Sequence, residues 1–584
     1  MPGELPNLYR KKGDAFMRFL LKRWQGKKAA LVTTSCLAIL FMSFGWSECC
    51  SETGAIAGVR DYLRGKISAE SKVGTFVCRG EMLCGATQIP LFYNKRGFFP
   101  AWCGRSGILP SARELISEIR GAYKEGLHPE DYHLTPIEIL LKELKEETLA
   151  GNRKKAERLG DLDLFLTDAF MLYSSHLLGG RVKPDTLHSD WVVDVPTADL
   201  LQILESSLQT GRIRETLLGM SPRDLGYRRL KSYLASYRGM AKEGPVPPVP
   251  ASMLRKGSRG GGVQRLRTRL ATFGDLQGSP EGQGDFFDGA VESAVRRFQG
   301  RHGLRQDGIV GKNTLRMLNI SFKQRSRQIE LNLERWRWIS HDLGTRYVVV
   351  NIAGFTLQVV ESGVVRMEMR VVVGKPFRRT PVFSGSMTYL VINPYWNVPR
   401  TLAINDILPH LKKDPTYLQE QGLRVFADWS KETPEIDGRS VHWDLLGPDT
   451  FPFRLRQDPG PKNALGRIKF MFPNKFSVYL HDTPSRTLFQ ETTRNFSSGC
   501  IRVEKPVSLA VYLLRDEKQW TEKRIRETIH SGKTVAIPLR RAVPVHLQYW
   551  TAWVDELGRL HFRDDIYDRD GPLERALQER LPAG

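Results

Sequence analysis

The sequence predicts a multidomain α+β protein: an N-terminal membrane helix, a mostly helical middle, and a β-rich C-terminal half broken by an insertion. Three observations predict it. Eighteen consecutive residues, Ala29 to Trp46, carry no charge and follow a basic segment. Between about residues 86 and 320 apolar side chains recur at helical spacing, whereas from Arg346 onward they alternate or run in short β-branched stretches. Proline and glycine gather between Gly244 and Gly262, as they do in a linker. A chain of 584 residues has room for roughly three or four such domains.

Composition bounds the partners. Hydrophobic residues at 41% and charged residues at 26% are ordinary for a globular protein. The net charge of +23 suits nucleic acid, an anionic membrane or a carboxylate-rich polymer. No zinc-finger spacing and no aromatic RNA-binding run accompanies that charge, so no nucleic-acid partner is expected. Seven cysteines stand at 36, 49, 50, 78, 84, 103 and 500. Cys78, Cys84 and Cys103 are disulfide candidates in an oxidising compartment, with one left over. Cys49 and Cys50 are open to interfacial, palmitoylated or paired roles. There is no CxxC, and the 12 histidines form neither HxH nor HExxH, so no metal and no organic cofactor is expected.

The elements follow in order. Residues 1–28 form a basic segment that belongs on the cytoplasmic side. Residues 29–46 are long enough to cross a hydrocarbon core or to act as a secretion signal. The long leader favours a retained anchor, and either role exports the rest. Residues 47–85 read as irregular. Residues 86–240 read as helical: Ser111-Ala112-Arg113-Glu114 has the form of a capping box ahead of Leu115, Ile116 and Ile119, and Gly126 suits a helix stop. A second helix carries Leu162, Phe165, Leu166, Ala169, Phe170, Tyr173 and Leu177 on one stripe and ends at Gly179-Gly180. His176 on that helix reads as structural. Residues 241–262 are the linker.

Residues 263–320 form a compact helical unit. Val263, Leu266 and Leu270 begin one helix, and Val291, Ala294, Val295 and Phe298 make the next. Residues 321–345 are a connector, in which Ile329 to Trp338 alternates and includes Arg335-Trp336-Arg337-Trp338. Residues 346–540 are the β-rich domain. Tyr347–Ile352 and Phe355–Val360 read as a hairpin turning at Ala353-Gly354, followed by strands over Val364–Val373 and Thr388–Trp396. Helical and polar segments over 401–461 interrupt the sheet. A segment over 541–584 closes the chain. Its Asp564-Asp565 pair lacks ligand spacing for a cation.

Within the β-rich domain one stretch carries chemistry. Phe476 to Thr483 alternates and predicts a strand with Phe476, Val478 and Leu480 on one face and Ser477, Tyr479 and His481 on the other. After a polar loop come Ser497-Ser498-Gly499-Cys500-Ile501-Arg502-Val503. Here Cys500 and Arg502 share a face while Ile501 and Val503 pack inward. A loop returning between strand ends brings His481 towards Cys500. Imidazole beside thiol is useful because only the thiolate is the nucleophile, and a base can take the proton and later return it. Gly499 lets substrate approach the backbone, and amides around Gly499 and Cys500 are oxyanion candidates. Asp482 points to the opposite strand face and is not expected to complete a triad; a backbone carbonyl is the alternative orienting group.

The spacing of His481, fifteen residues and Ser497-Ser498-Gly499-Cys500-x-Arg502 resembles the active-site signature of the YkuD-type L,D-transpeptidases, and within them the large YcbB-like branch. Many members carry His where this chain has Ser498. The resemblance extends to Phe92–Trp102 and Gly126–Tyr132, which look like a scaffold domain. Ala294 to Gln299, His302-Gly303-Leu304, Asp307-Gly308 and Gly311 resemble the small helical peptidoglycan-binding domain. Asn393–Pro399 is similar to a substrate-lining segment, and Tyr549–Asp555 to the family's tail. The resemblance implies a β-rich catalytic domain with a helical capping insertion at 401–461. It implies a periplasmic enzyme anchored in the bacterial inner membrane through 29–46, acting on peptidoglycan stem peptides as donor and acceptor, with glycan strands held by 263–320. It implies Cys500 as nucleophile, His481 as proton carrier and a thioester intermediate that cross-links third stem residues. Tyr479, Ser498, Gly499, Arg502 and Trp396 are its substrate or oxyanion candidates. The rival expectations are an L,D-carboxypeptidase with water as acceptor and a non-catalytic wall-binding scaffold.

Overall fold

In a computed structural model, residues 54–579 are described apart from 71–75, 106, 147–151, 245, 251, 278–283 and 431–432. The apolar segment 29–46 and Cys36, Cys49 and Cys50 lie outside the described residues. Among those described, no helix is long and apolar enough to cross a membrane.

The first helical body gathers around α1 (Asn152–Gly179), whose Leu162, Phe165, Leu166, Ala169 and Phe170 are buried. Gly180 ends it at φ +84°, a conformation that favours glycine. His176 is buried and its Nδ1 lies 3.1 Å from the Tyr132 hydroxyl, a structural role. The Ser111 capping box is not formed. The helix there begins at Pro110 behind Leu109, because proline at the first position needs no N–H partner. Cys78, Cys84 and Cys103 are free thiols rather than disulfide partners. The Cys78 sulfur contacts Asp161 at 3.4 Å, whereas Cys103 faces the Leu159 carbonyl at 3.7 Å, so each is engaged locally.

Chain order continues with α2 (Leu225–Lys242), then α3 (Gly261–Thr272), α4 (Gly289–Arg301) and α5 (Lys312–Leu318), which share a small core of Val263, Leu266, Val291, Val295, Phe298 and Leu318. Val249 and Leu254, from the proline- and glycine-rich stretch, are buried in that same core. The Gln299 side chain explains the turn that follows. It donates to Asp307 at 2.8 Å and to the Ile309 carbonyl at 2.9 Å, and accepts from the Gly308 N–H at 2.9 Å.

The run expected to alternate is instead the end of α6 (Phe322–Arg337), opened by a complete capping box of Ser321 and Gln324. This helix is buried nearly all round, which erases the one-sided stripe that marks a surface helix. Its Glu334 and Arg337 are fully buried and paired at 2.6 Å, and Arg335 pairs with Asp570 at 2.6 Å. Trp336 stacks on Trp550 with ring centroids 4.6 Å apart. α6 packs on α2 and on the C-terminal helix α7 (Asp570–Gln578).

The β-rich half is a nine-stranded sheet. In chain order its strands are β1 (Trp191–Val192), β2 (Arg346–Asn351), β3 (Thr356–Glu361), β4 (Val364–Val372), β5 (Val382–Ile392), β6 (Ile468–Met471), β7 (Leu480–His481), β8 (Ile501–Val503) and β9 (Val535–Gln548). The spatial order is β6-β7-β8-β4-β3-β2-β9-β5, and β5 pairs back onto β6, so these eight close a ring. The ninth, β1, comes from the helical half and lies parallel to the start of β5, with Trp191 opposite Val382. Val348, Val359, Val371, Leu390, Phe470, Leu480, Ile501 and Val545 fill the interior.

The insertion corrects an expectation. It holds short helices, Leu408–Leu411 and Tyr417–Gln421 among them, but also three strands, Leu423–Phe426, Glu435–Ile436 and Arg454–Gln457, which form a sheet with Trp396–Asn397 just ahead of it. Leu423-Arg424-Val425 and Arg454-Leu455-Arg456 alternate, and their apolar members Leu423, Val425 and Leu455 build a separate core with Leu411 and Trp443.

Candidate active site

Three short neighbouring strands build the site. β6 runs antiparallel to β7, and β7 parallel to β8, so that Lys469, His481 and Arg502 are opposite one another across them. Ile468, Phe470, Leu480, Ile501 and Val503 turn inward and are fully buried. Lys469, His481 and Arg502 therefore share the outer face, and alternation adds Tyr479 and Cys500 to it. The Ile501 N–H donates to the Tyr479 carbonyl at 3.1 Å, which fixes Tyr479 beside Cys500.

The strand expected over Phe476–Thr483 is shorter than the alternation suggests. Only Leu480 and His481 pair as strand. The Asn474 side chain takes the rest: its oxygen accepts from the Phe476 N–H at 3.0 Å and the Val478 N–H at 3.1 Å, and its amide donates to the Val478 carbonyl at 2.7 Å. Such local bonds compete with a ladder. Ser477 takes φ +56° in the resulting loop, and its carbonyl oxygen lies 3.9 Å from the Cys500 sulfur.

His481 is oriented by main chain. Its Nδ1 lies 2.5 Å from the Asp482 carbonyl oxygen, which leaves Nε2 as the basic nitrogen. The Asp482 carboxylate faces away, accepting from the Arg467 N–H at 2.9 Å and Arg486 at 3.1 Å. Burial, followed by the charge of Arg502, lowers the imidazole to about 3, against the hydrogen bond to Asp482. Burial pushes the Cys500 thiol up, and hydrogen bonds from the backbone and hydroxyl of Tyr479, with the charges of Lys469 and Arg502, oppose it.

The loop before Cys500 is clamped. Gly499 has φ +114°, which side chains rarely adopt. Its N–H donates to the Ser497 hydroxyl at 3.2 Å, and its carbonyl accepts from the Thr380 hydroxyl at 2.8 Å. The Thr380 hydroxyl also accepts from the Gly374 N–H at 2.9 Å. The Gly374 carbonyl in turn accepts from the Tyr567 hydroxyl at 2.6 Å. Ser498 is exposed and accepts from Arg378 at 3.2 Å, and Arg378 pairs with Asp406 of the insertion.

Trp396 is half-buried against the insertion's core, on a strand opposite Gln457. Lys469 joins the outer face although sequence reasoning passed over it. Its only signal was a charge between Ile468 and Phe470 in an alternating run, and its meaning depends on pairing with β7. Asp564 pairs with Arg316 at 2.7 Å, and Asp565 accepts from the Tyr549 hydroxyl at 2.5 Å. Among the described residues no group of three or more His, Cys, Asp or Glu could hold a metal ion.

Comparison with known proteins identifies three regions. Residues 87–234 match the family model "Scaffold domain", residues 259–318 match "Putative peptidoglycan binding domain", and residues 345–530 match "L,D-transpeptidase catalytic domain". A curated protein of Haemophilus influenzae described as "Putative L,D-transpeptidase" is 40% identical over 229 residues, covering 39% of this chain and 45% of that protein. The chain thus spans under half the length of this relative. Among solved structures, an L,D-transpeptidase from Mycobacterium smegmatis is 16% identical, covering 35% of this chain and 58% of that one, with a TM-score of 0.18. An L,D-transpeptidase from Xylanimonas cellulosilytica is 18% identical, covering 52% and 99%, with a TM-score of 0.17. At those values the two structures add nothing to the assignment. The chain thus carries a YkuD-type L,D-transpeptidase catalytic domain over 345–530, preceded by scaffold and peptidoglycan-binding domains, and is similar over 229 residues to a putative L,D-transpeptidase.

Proposed function

We propose that this protein is a peptidoglycan L,D-transpeptidase that works through a thioester on Cys500 and cross-links the third residues of two stem peptides. It acts outside the cytoplasm, held at the inner membrane by 29–46. The observation that carries the reading is the outer face that His481 on β7 and Arg502 on β8 share with Tyr479 and Cys500, which stand just ahead of those strands.

In the first half-reaction Cys500 attacks the carbonyl of the third donor residue. The thiol proton passes to His481 Nε2 as the sulfur–carbon bond forms. The developing oxyanion is met by backbone N–H donors, with the Cys500 amide the better candidate because the Gly499 N–H already serves Ser497. Collapse expels the terminal D-alanine, whose amine takes the proton back from His481. A side-chain amine of the acceptor stem then attacks the thioester by the same path in reverse. Arg502 suits a stem carboxylate, since guanidinium matches carboxylate geometry. The insertion, tied to Ser498 through Arg378 and Asp406, acts as the cap that excludes water and favours amine over water as acceptor. No step requires a cofactor. The peptidoglycan-binding unit positions the enzyme on glycan strands.

Incubating the chain with a tetrapeptide donor and following the covalent adduct by mass spectrometry tests this. Cys500→Ala abolishes the adduct and the cross-link while preserving the fold; undiminished cross-linking by Cys500→Ala removes the proposal. His481→Ala slows acylation strongly, and a change below about tenfold rules out its role as general base. Products with and without an acceptor amine separate transpeptidation from L,D-carboxypeptidase hydrolysis. Absence of any adduct on Cys500 favours a non-catalytic wall-binding scaffold.

A further inference from the structure

We propose that Lys469 is a positioning residue for the Cys500 thiolate: it braces the ring of Tyr479 beside the sulfur and, with Arg502, supplies positive charge that balances the thiolate. The proposal rests on the thioester reading above and concerns how its nucleophile is made.

The register carries the argument. Lys469, His481 and Arg502 are direct cross-strand neighbours on β6, β7 and β8, strands spaced about 4.8 Å apart. The Lys469 ammonium sits 3.8 Å from the centre of the Tyr479 ring, close enough for a cation–π contact that fixes the ring. Tyr479 is in turn the residue next to Cys500 across β7 and β8. Among the described residues neither Lys469 nor Arg502 forms an ion pair, and the Arg502 Nε is buried without a hydrogen-bond partner.

The remaining charged groups around the sulfur do not supply an anion. Just before β7, Tyr479 is held protonated by burial, and on β7 His481 is flanked by both cations. Asp482 is turned to Arg467 and Arg486. In the loop before β5, Arg378 is paired with Asp406, and Lys375 lies over the Phe377 ring at 5.6 Å. Lys475, in the loop before β7, lies over Phe476 at 5.3 Å. The site thus holds two cations without a carboxylate. An imidazolium at 481 would stand between like charges, which disfavour it. A thiolate at 500 would meet them both, which favours it. On ionisation in the free enzyme the S–H bond breaks, the electron pair remains on sulfur, and the proton leaves to solvent; with substrate bound, that proton is the one His481 Nε2 carries to the leaving amine. Burial holds His481 neutral before attack, free to take that proton.

Carbamidomethylation of Cys500 in the full chain tests this. The sulfur–carbon bond of the adduct forms as iodide leaves, and the rate at each pH reports the thiolate fraction. Lys469→Met is expected to raise the apparent thiol pKa and to slow alkylation at neutral pH at least about tenfold, as loss of an opposite charge at such range does. Lys469→Arg restores most of the rate, which a merely structural role would not predict. Arg502→Gln, on the other flank, is an independent removal of charge and shifts the profile in the same direction. Unchanged or lowered thiol pKa in Lys469→Met or, if that variant does not fold, in Arg502→Gln overturns the proposal. The readout is separate from turnover: an unmoved profile refutes this inference alone, whereas cross-linking by Cys500→Ala refutes the thioester reading.

Discussion

Replacing Glu334 by alanine should be among the most damaging single changes in the chain. Glu334 and Arg337 are one turn apart on α6 and both are fully excluded from solvent, with Oε2 and Nη2 at 2.6 Å. The other carboxylate oxygen accepts from the Val182 N–H at 2.8 Å, tying α6 to the segment that leaves α1. Arg337 also donates to the Glu125 carbonyl at 2.9 Å and the Tyr227 hydroxyl at 3.2 Å. Removing the carboxylate leaves a guanidinium buried without its counter-charge, a loss of about 3–5 kcal/mol. The orphaned Val182 amide adds about 1–3 kcal/mol if considered alone, though neighbouring losses do not sum. A total near 4 kcal/mol is expected. Urea denaturation followed by tryptophan fluorescence measures it, because Trp338 follows Arg337 and packs edge-on against Trp191 at 5.0 Å. The double change Glu334→Leu with Arg337→Met should cost less than Glu334→Ala alone, since no unpaired charge remains. A single-variant loss below about 1 kcal/mol, or a double variant worse than the single, would refute the reasoning.

Two further outcomes follow from other sites. His133 is buried between Asp168 and Glu81, each 2.8 Å from a ring nitrogen; burial alone would lower its pKa, but those hydrogen bonds carry it from 6.5 up to about 9. A raised folded-state pKa stabilises fully below about 6.5 and fades as pH rises through 9, so about 3 kcal/mol should be lost across that window. His133→Gln should flatten the loss in thermal melts, and a wild-type midpoint that is level from pH 6.5 to 9 would contradict it. In Gly374→Ala the new methyl would meet the Arg378 carbonyl oxygen at 2.2 Å and the Thr380 nitrogen at 2.8 Å. The strand–loop clamp on Gly499 must shift, so acylation should fall at least about tenfold with about 1–3 kcal/mol of stability lost. Wild-type acylation kinetics in Gly374→Ala would show that the clamp does not position Cys500.

What the sequence disclosed follows from how local each signal is. Cys500 and His481 were legible because a fixed spacing with Ser-Gly-Cys marks them, and the hairpin at Ala353-Gly354 because alternation flanks a turn. Lys469 was not, since a lysine between two apolar residues reads as an ordinary exposed strand position until β6 is paired with β7. The strand over Phe476–Thr483 failed because Asn474 satisfies backbone groups that alternation assigns to a ladder. The end of α6 was read as alternating because Arg335, Trp336, Arg337 and Trp338 interleave charge with ring, and burial on all sides hides a helical stripe. The insertion's strands escaped because each is only two to four residues long.

The place of Trp191 and Val192 beside β5 has a practical outcome for anyone dividing this protein. A piece beginning near residue 345 would keep the ring and the thiol, but it would present the first residues of β5 with unpaired amides and carbonyls. Bare strand margins of that kind recruit other chains. Such a piece should self-associate in a concentration-dependent way, and restoring the helical half in cis should suppress the oligomers by covering the margin with its natural neighbour.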